Sequence, residues 1–198
     1  MNEEEAYEKT NETIKEVIDI FQNKIFFFLN EEDIKSYLYY RLLKKFRDDD
    51  KNKKTSSIHC NISSLDNKDN QSFVPDISIC DINSFSNNDK NFYFHFDNIF
   101  TSIEIKYCIK DNKNKVIKKL WNPQANKSSE KGDYYKLCMK KEWGSNVLIF
   151  DHSSHLDLKD IILIQKNNKD YNNDIKIIYV TPKKIICVMN SEECDLFD

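Results

Sequence analysis

Two short hydrophobic segments of the chain carry charged residues where a buried strand normally has none. Residues 74–80 place Asp76 directly before an Ile-Ser-Ile alternation, and residues 101–108 contain both Glu104 and Lys106. Because side chains two positions apart on a strand point to the same face, Glu104 and Lys106 should lie together. Burying a charge without a partner is costly, so these groups should pair with one another, bind a cation or face a cleft.

A divalent cation is one partner that these residues could hold. Hard cations prefer carboxylate and carbonyl oxygens, which Asp76, Glu104 and the main chain of Ile105 could supply. Lys106 could then hold or polarise an attacking water, and this is the outline of metal-assisted phosphodiester hydrolysis. A strand-to-strand ion pair between Lys106 and either acid, or a solvent-facing strand edge, is the alternative interpretation.

The residues Pro75-Asp76, followed by Glu104-Ile105-Lys106, make the chain resemble the PD-(D/E)xK nuclease superfamily, which includes restriction endonucleases and Holliday junction resolvases. The resemblance implies that Asp76 and Glu104 hold Mg²⁺ (or Mn²⁺) and that the Ile105 carbonyl contributes to the same site. It also implies that Lys106 acts on the nucleophilic water and that DNA is the partner.

Many members of this superfamily carry a glutamate on the helix before the sheet, and Glu31 is the residue that matches it here. Helical spacing places Glu31 three residues before Ile34 and seven before Leu38, on the stripe that faces the core. Glu32 is the second choice. Acidic residues in the first turn of a helix also complement its dipole, so a structural role stays open.

Lysines are frequent after the Glu104 strand. Together with Trp121, Lys110 and its neighbours could follow a phosphate backbone and stack on a base, although an Asn-rich basic loop is also typical of a solvated surface.

A second candidate for phosphate contact lies farther along the chain. Asp133, Lys136 and Leu137 form a DxxKL pattern that looks like one on the helix after the catalytic strand of the superfamily. The resemblance implies that Lys136 contacts phosphate or the site, while an ordinary exposed helix lysine is the alternative.

The composition argues against several classes of function. The chain has only two Gly and three Pro, and it contains no GxGxxG motif, no Walker-type lysine loop and no GxSxG elbow. The net charge of -3 argues against broad coating of nucleic acid but permits a local basic cleft. His152 and His155 have a spacing seen in metal sites, but they lack further nearby ligands for zinc.

The cysteines and the apolar runs bear on location. The six cysteines form no CxxC pair and no signal peptide precedes them, so we expect reduced core thiols in a cytoplasmic protein, or a nuclear one in a eukaryote, rather than a secreted one. The longest apolar run, residues 25–29, is too short to span a bilayer, and no membrane partner is expected.

Hydrophobic spacing predicts the order of the elements. The expected helices cover residues 3–29, 33–46, 128–143 and 154–166. The expected strands cover residues 56–63, 74–80, 101–108 and 146–150, with a closing hairpin at 174–180 and 184–188. Residues 83–98 should be an insertion at the sheet edge. Its aromatic run 92–96 is a strand or a cover over the core, and His95 within it is expected to be packed.

The order from the second helix is helix, strand, strand, strand, helix, strand, which is the αβββαβ core of the superfamily. We therefore expect a single α/β nuclease-like domain over residues 1–198, with a mixed sheet flanked by helices. Residues 1–29 would be an N-terminal helical extension, residues 30–151 the restriction endonuclease-like core, and residues 152–198 a C-terminal helix and hairpin.

The sequence thus predicts a Mg²⁺-dependent endonuclease that hydrolyses DNA phosphodiester bonds, with Asp76, Glu104, Lys106 and Glu31 as its site. A catalytically silent nuclease-like binding or assembly module is the alternative, and nothing in the sequence distinguishes DNA from RNA. A homodimer could form, with the apolar face of residues 14–29 as its candidate surface.

Overall fold

The structure is a computed structural model. It describes residues 1–24, 27–51, 56–61, 64–65, 72–81, 94–95, 99–108, 113–120, 132–138, 144–153, 156–166 and 175–196.

Two long helices begin the chain, α1 (Glu3–Asn23) and α2 (Glu31–Asp50). An asparagine caps the N-terminus of each, because its side chain accepts the N–H of the residue three positions on. The prediction that the first helix continues to residue 29 was wrong, since α1 ends at Asn23. Helix α2 then starts at Glu31, and the Asp33 carboxylate accepts a hydrogen bond from the Leu29 N–H at 2.9 Å.

The apolar face of α1 is buried within the chain itself. Ile14, Val17, Ile18 and Phe21 are each at most 1% exposed and belong to the core that α1 and α2 form with the sheet. These four residues are therefore unavailable as a dimer surface, whereas Phe27 and Leu29, at the end of the suggested range 14–29, are 48% and 66% exposed.

In the part of the chain that the structure describes, ten strands form two sheets. In chain order they are β1 (Ile58–Cys60), β2 (Ser64–Leu65), β3 (Ser72–Phe73), β4 (Ile77–Cys80), β5 (Phe94–His95), β6 (Ile99–Cys108), β7 (Ser145–Asp151), β8 (Ile175–Val180), β9 (Ile185–Met189) and β10 (Glu192–Glu193). The large sheet has seven strands in the order β1-β4-β6-β7-β8-β9-β10, and β3-β2-β5 form a small second sheet.

The large sheet is mixed. Its β1, β4 and β6 strands pair antiparallel, β6, β7 and β8 pair parallel, and β9 and β10 close it with antiparallel pairings. The predicted strand around Asp76, the long strand with Glu104 and the closing hairpin are all confirmed. The predicted first strand is confirmed over the three residues of β1.

Three shorter helices, α3 (Lys113–Leu120), α4 (Asp133–Cys138) and α5 (Leu158–Lys166), follow the parallel strands. They pack on the face opposite to α1 and α2, so the sheet lies between two helical layers with a hydrophobic core on each side. Ile103 and Ile105 belong to the α1–α2 core, while Cys108 belongs to the α3–α5 core. The fold is therefore α/β, with a seven-stranded mixed sheet flanked by helices.

The sequence prediction missed α3. Lysine and asparagine dominate this segment and suggested a solvated loop, but Val116 and Leu120 lie one turn apart and are buried. The helix predicted over residues 128–143 is described only as α4. None of the described helices is both long and apolar enough to cross a membrane.

Candidate active site

Strand β6 places the two charged side chains of the Glu-x-Lys sequence on one buried face. Glu104 is 5% exposed and Lys106 is 4% exposed, and the Lys106 ammonium donates a hydrogen bond to the Glu104 carboxylate. Alternation along the strand turns the intervening Ile105 to the opposite core. The predicted convergence of these two residues is confirmed. Their ion pair lies within β6, whereas the alternative left open by the sequence was a pair from strand to strand.

Asp76 joins this pair from the neighbouring strand. The register pairs Ile77 with Ile103, so Asp76, one residue before β4, lies level with Glu104. Its Oδ2 accepts the Ile105 N–H at 2.8 Å, which fixes the carboxylate against the middle of β6. Its Oδ1 lies 3.5 Å from the Lys35 ammonium of α2. Asp76 is thus held by one main-chain donor and one cation.

The Ile105 carbonyl has a defined direction. In an antiparallel ladder the N–H and C=O groups of one residue point to the same side of the strand. The Ile105 N–H points to Asp76, so the Ile105 carbonyl faces the same side of β6. The pairing of β4 with β6 ends at Ile77 and Ile103, and Ile105 lies two residues past that end. Two carboxylates and one carbonyl therefore lie around one short stretch of main chain.

A third acid approaches from the helical layer. Asp133, the first residue of α4, lies 3.0 Å from the Lys106 ammonium. The preceding Gly132 permits this placement, because its φ of +109° favours glycine. A Cβ added at Gly132 would lie 2.3 Å from the Leu120 carbonyl oxygen. The close contact between α3 and the start of α4 thus positions the Asp133 carboxylate.

The N-terminus of α2 contributes two glutamates in different ways. Glu31 is half-buried, and its negative charge acts on Lys106 and on Cys108 at the end of β6. The Glu32 side chain is 71% exposed and instead pairs with Lys35 at 2.5 Å. Of the two glutamates, Glu31 is the one whose charge reaches Lys106, as the sequence prediction preferred.

Burial and charge set the protonation of the central pair. Burial raises the pKa of Glu104 to about 8; Lys106 opposes the shift, and the charges of Asp76 and Asp133 add to it. Burial lowers the pKa of Lys106, but the charges of Glu104 and Asp133 outweigh this, and the pKa is raised above its ordinary value. Lys106 therefore stays a cation, while the Glu104 charge is costly in its surroundings.

The donor side chains of the cluster bear on whether it could hold a metal ion. Within the ranges that the structure describes, no group of three or more His, Cys, Asp or Glu side chains is positioned to hold a metal ion. Lys35 and Lys106 compensate the two carboxylates instead.

Other predicted residues lie apart from this cluster or outside the described ranges. Lys110 and His155 fall outside the described residues. Lys136 lies in α4 and His95 in the small sheet, but neither side chain is among those described. His152 packs against aromatic rings, with its ring centroid 4.6 Å from that of Phe21.

Two residues of the cluster were missed from the sequence as site residues, Lys35 and Asp133. Lys35 lies four residues after Glu31 and three before Leu38, so helical spacing already placed it on the buried stripe. Asp133 was noted as part of a motif without a role of its own. A lysine on a buried strand requires a counter-charge, but sequence spacing does not tell which distant acid supplies it.

A second buried carboxylate lies at the end of the next strand, β7. Asp151 is fully buried and accepts the Tyr179 hydroxyl at 2.7 Å and the Ser153 N–H at 2.8 Å. The same tyrosine oxygen accepts the Leu156 N–H at 3.1 Å. This network ties the ends of β7 and β8 to the start of α5.

The chain matches no protein-family model, and neither a curated protein nor a solved structure is significantly similar to it.

Proposed function

We propose that this protein is a metal-dependent endonuclease of the PD-(D/E)xK kind, which hydrolyses phosphodiester bonds in DNA. The observation that supports this proposal most strongly is the meeting of Asp76, Glu104 and Lys106 around the main chain of Ile105. Two acids and a lysine from adjacent strands are the residue types that metal-assisted hydrolysis of a phosphodiester needs.

The order and direction of the elements support the same proposal. Helix α2 is followed by β1, β4 and β6, which pair antiparallel, and then by α3 and α4 and by β7, which is parallel to β6. When β2, β3 and β5 of the small sheet are left aside and α3 and α4 are counted as one helical segment, this order agrees with the αβββαβ order expected for the superfamily. The acidic cluster lies at the start of β4, beside the middle of β6.

The residue types in this cluster suit a hard divalent cation. All the donors are oxygens, and the acids whose charges bear on Glu104 and Lys106 include Asp76, Asp133 and Glu31, so acids outnumber the lysines. Asp76, Glu104 and the Ile105 carbonyl would hold Mg²⁺ or Mn²⁺. When bound, the ion would supply Lewis-acid charge at the phosphate and make a water more acidic.

The remaining roles in the cluster are to position the ligand side chains and to orient the water or the phosphate. Lys106 is held as a cation, so it acts as a hydrogen-bond donor to the water or to a phosphate oxygen rather than as a base. Asp133 holds its ammonium from the other side, at 3.0 Å. Lys35 and the Ile105 N–H fix Asp76, and Glu31 adds negative charge at the rim of the cluster.

A catalytically silent binding or assembly module is the competing function, and one observation favours it. Lys35 and Lys106 already pair with the carboxylates of Asp76 and Glu104, so each of the two carboxylates has a cation beside it without a metal ion. A domain that needs no metal would keep such an arrangement for its structure alone.

Cleavage assays with conservative variants test the proposed enzyme. Supercoiled plasmid, single-stranded DNA and branched DNA are incubated with Mg²⁺ or Mn²⁺ and with the wild type, Asp76→Asn or Glu104→Gln. Asn at position 76 retains an oxygen that can accept the Ile105 N–H, and Gln at 104 retains the side-chain shape. Both substitutions therefore remove charge with little change in packing.

We expect metal-dependent cleavage of at least one DNA form by the wild type and a loss of at least about 100-fold in both variants. Glu192→Gln, at the exposed edge strand β10, is the matched control and should keep full activity. Cleavage that survives both site variants would assign the activity to other residues or to a contaminant. A protein that neither cleaves nor binds metal would favour the silent module.

A further inference from the structure

Two cysteines lie side by side at the edge of the large sheet, remote in sequence from the acidic cluster. Cys187 is on β9, and the register of β9 with β10 places Cys194 directly opposite it, one residue beyond the end of β10. The Cys194 N–H donates to the Cys187 carbonyl at 3.0 Å. Both thiols are free, and their sulfur atoms are 3.1 Å apart.

The backbone of this pair suits a disulfide. Facing residues in a hydrogen-bonded antiparallel pair have Cα atoms about 5.5 Å apart. This value lies within the range of roughly 4.4–6.8 Å found across disulfides. The sulfur atoms would have to approach by only about 1 Å to reach bonding distance. Oxidation of this pair therefore needs no rearrangement of the strands.

The surroundings distinguish the two thiols. Cys194 is half-buried, while Cys187 is 4% exposed. Burial, with the neighbouring Cys194, raises the pKa of the Cys187 thiol, and the charge of the buried Lys176 opposes this shift. Lys176 also donates to the Leu196 carbonyl at 3.2 Å, which holds the following segment close. An oxidant from solvent thus meets Cys194 first.

A cavity of about 510 Å³ opens beside the pair. Its lining residues come from β9, from the last residue of β10 and from the segment after it, and they are Ile185, Cys187, Glu193, Cys194, Asp195 and Leu196. A small oxidant that enters this space reaches the sulfur atoms directly.

We propose that Cys187 and Cys194 form a redox modification site, in which a hydroperoxide converts the two thiols into a disulfide. The Cys194 sulfur attacks the peroxide, the O–O bond breaks, and an alcohol or water leaves with one oxygen while Cys194 becomes a sulfenic acid. The Cys187 sulfur then attacks the Cys194 sulfur, the S–O bond breaks, and water leaves with the Cys187 thiol proton. The peroxide is reduced, and the product fastens the segment after β10 to β9.

Peptide mapping of the oxidised wild-type protein tests this proposal. Residues 185–198 contain no Lys or Arg, so a tryptic digest leaves both cysteines in one peptide. After exposure to hydrogen peroxide and alkylation, we expect that peptide to lack its two thiol hydrogens and to resist alkylation until dithiothreitol is added. Cys60, which is also half-buried, is the matched control and should stay alkylated.

Two further measurements separate this bond from general oxidation. Cys187→Ser should leave Cys194 as a sulfenic acid that dimedone traps, with no disulfide within the peptide. Oxidation of the wild type should raise Tm by roughly 5 °C, because the bond closes a short loop, and a Cys187→Ser/Cys194→Ser protein should show no rise. The proposal is overturned by a peptide that stays fully alkylated, by a bond from Cys194 to any other cysteine, by equal oxidation of Cys60, or by an unchanged Tm.

Discussion

Replacing Lys106 by methionine should destabilise the protein strongly, because it removes one member of an ion pair that the core encloses. Both partners are at least 95% buried, and methionine keeps most of the volume of the lysine stem. Removing one partner of a buried pair costs about 3–5 kcal/mol in the free energy of unfolding. Glu104 can relieve its isolated charge by taking up a proton, so we expect a loss near the lower end, about 3 kcal/mol. For a chain of this length that loss lowers Tm by roughly 6–12 °C.

Urea unfolding, monitored by circular dichroism, measures the loss in the free energy of unfolding. The proteins compared are the wild type, Lys106→Met, Glu104→Gln and the double variant Lys106→Met/Glu104→Gln. The double variant removes both charges of the pair and leaves only Asp133, whose side chain is 23% exposed, without its lysine. It should therefore recover about 2 kcal/mol relative to the sum of the single losses. The reasoning is refuted if Lys106→Met unfolds within about 0.5 kcal/mol of the wild type, or if the losses of the two single variants simply add.

Three other substitutions have expected outcomes. Gly132→Ala should lower the free energy of unfolding by at least about 2 kcal/mol in urea titrations, because the new Cβ meets the Leu120 carbonyl at a positive φ; an unchanged midpoint would contradict this. Tyr179→Phe should cost about 2–3 kcal/mol, since the buried Asp151 carboxylate loses its hydroxyl donor, and a loss below about 0.5 kcal/mol would show that this bond contributes little. Burial lowers the pKa of His59, so the unfolded chain binds more protons at acid pH and wild-type stability should fall as the pH drops below about 6.5. His59→Gln should flatten that slope, and equal slopes in the two proteins would exclude His59 as its source.

The part of the cluster that lies on strands could be predicted from the sequence. Period-two alternation fixes the common face of Glu104 and Lys106, and the pairing of β4 with β6, its neighbour in the sheet, brings Asp76 beside them. The prediction succeeded because each step depends on neighbours in one strand or in two adjacent strands. It also left open an ion pair between strands, whereas the pair in the structure lies within β6.

The partners that come from helices were less predictable. Asp133 reaches Lys106 only because α3 is a helix and Gly132 brings α4 against its end. The composition of α3, which is rich in lysine and asparagine, gives little indication that the segment is a packed helix. Its packing depends instead on the burial of Val116 and Leu120. The pairing of Lys35 with Asp76 likewise depends on how α2 lies on the sheet, which helical periodicity does not specify.

The most direct test of the proposed enzyme is Mn²⁺ titration followed by electron paramagnetic resonance, because metal binding does not depend on the choice of DNA substrate. The wild type should bind Mn²⁺ at one saturable site, and Asp76→Asn and Glu104→Gln should each weaken it by at least about 10-fold, with Glu192→Gln unchanged. Equal Mn²⁺ binding by all four proteins, or no saturable site in the wild type, would contradict a metal-dependent nuclease at Asp76 and Glu104.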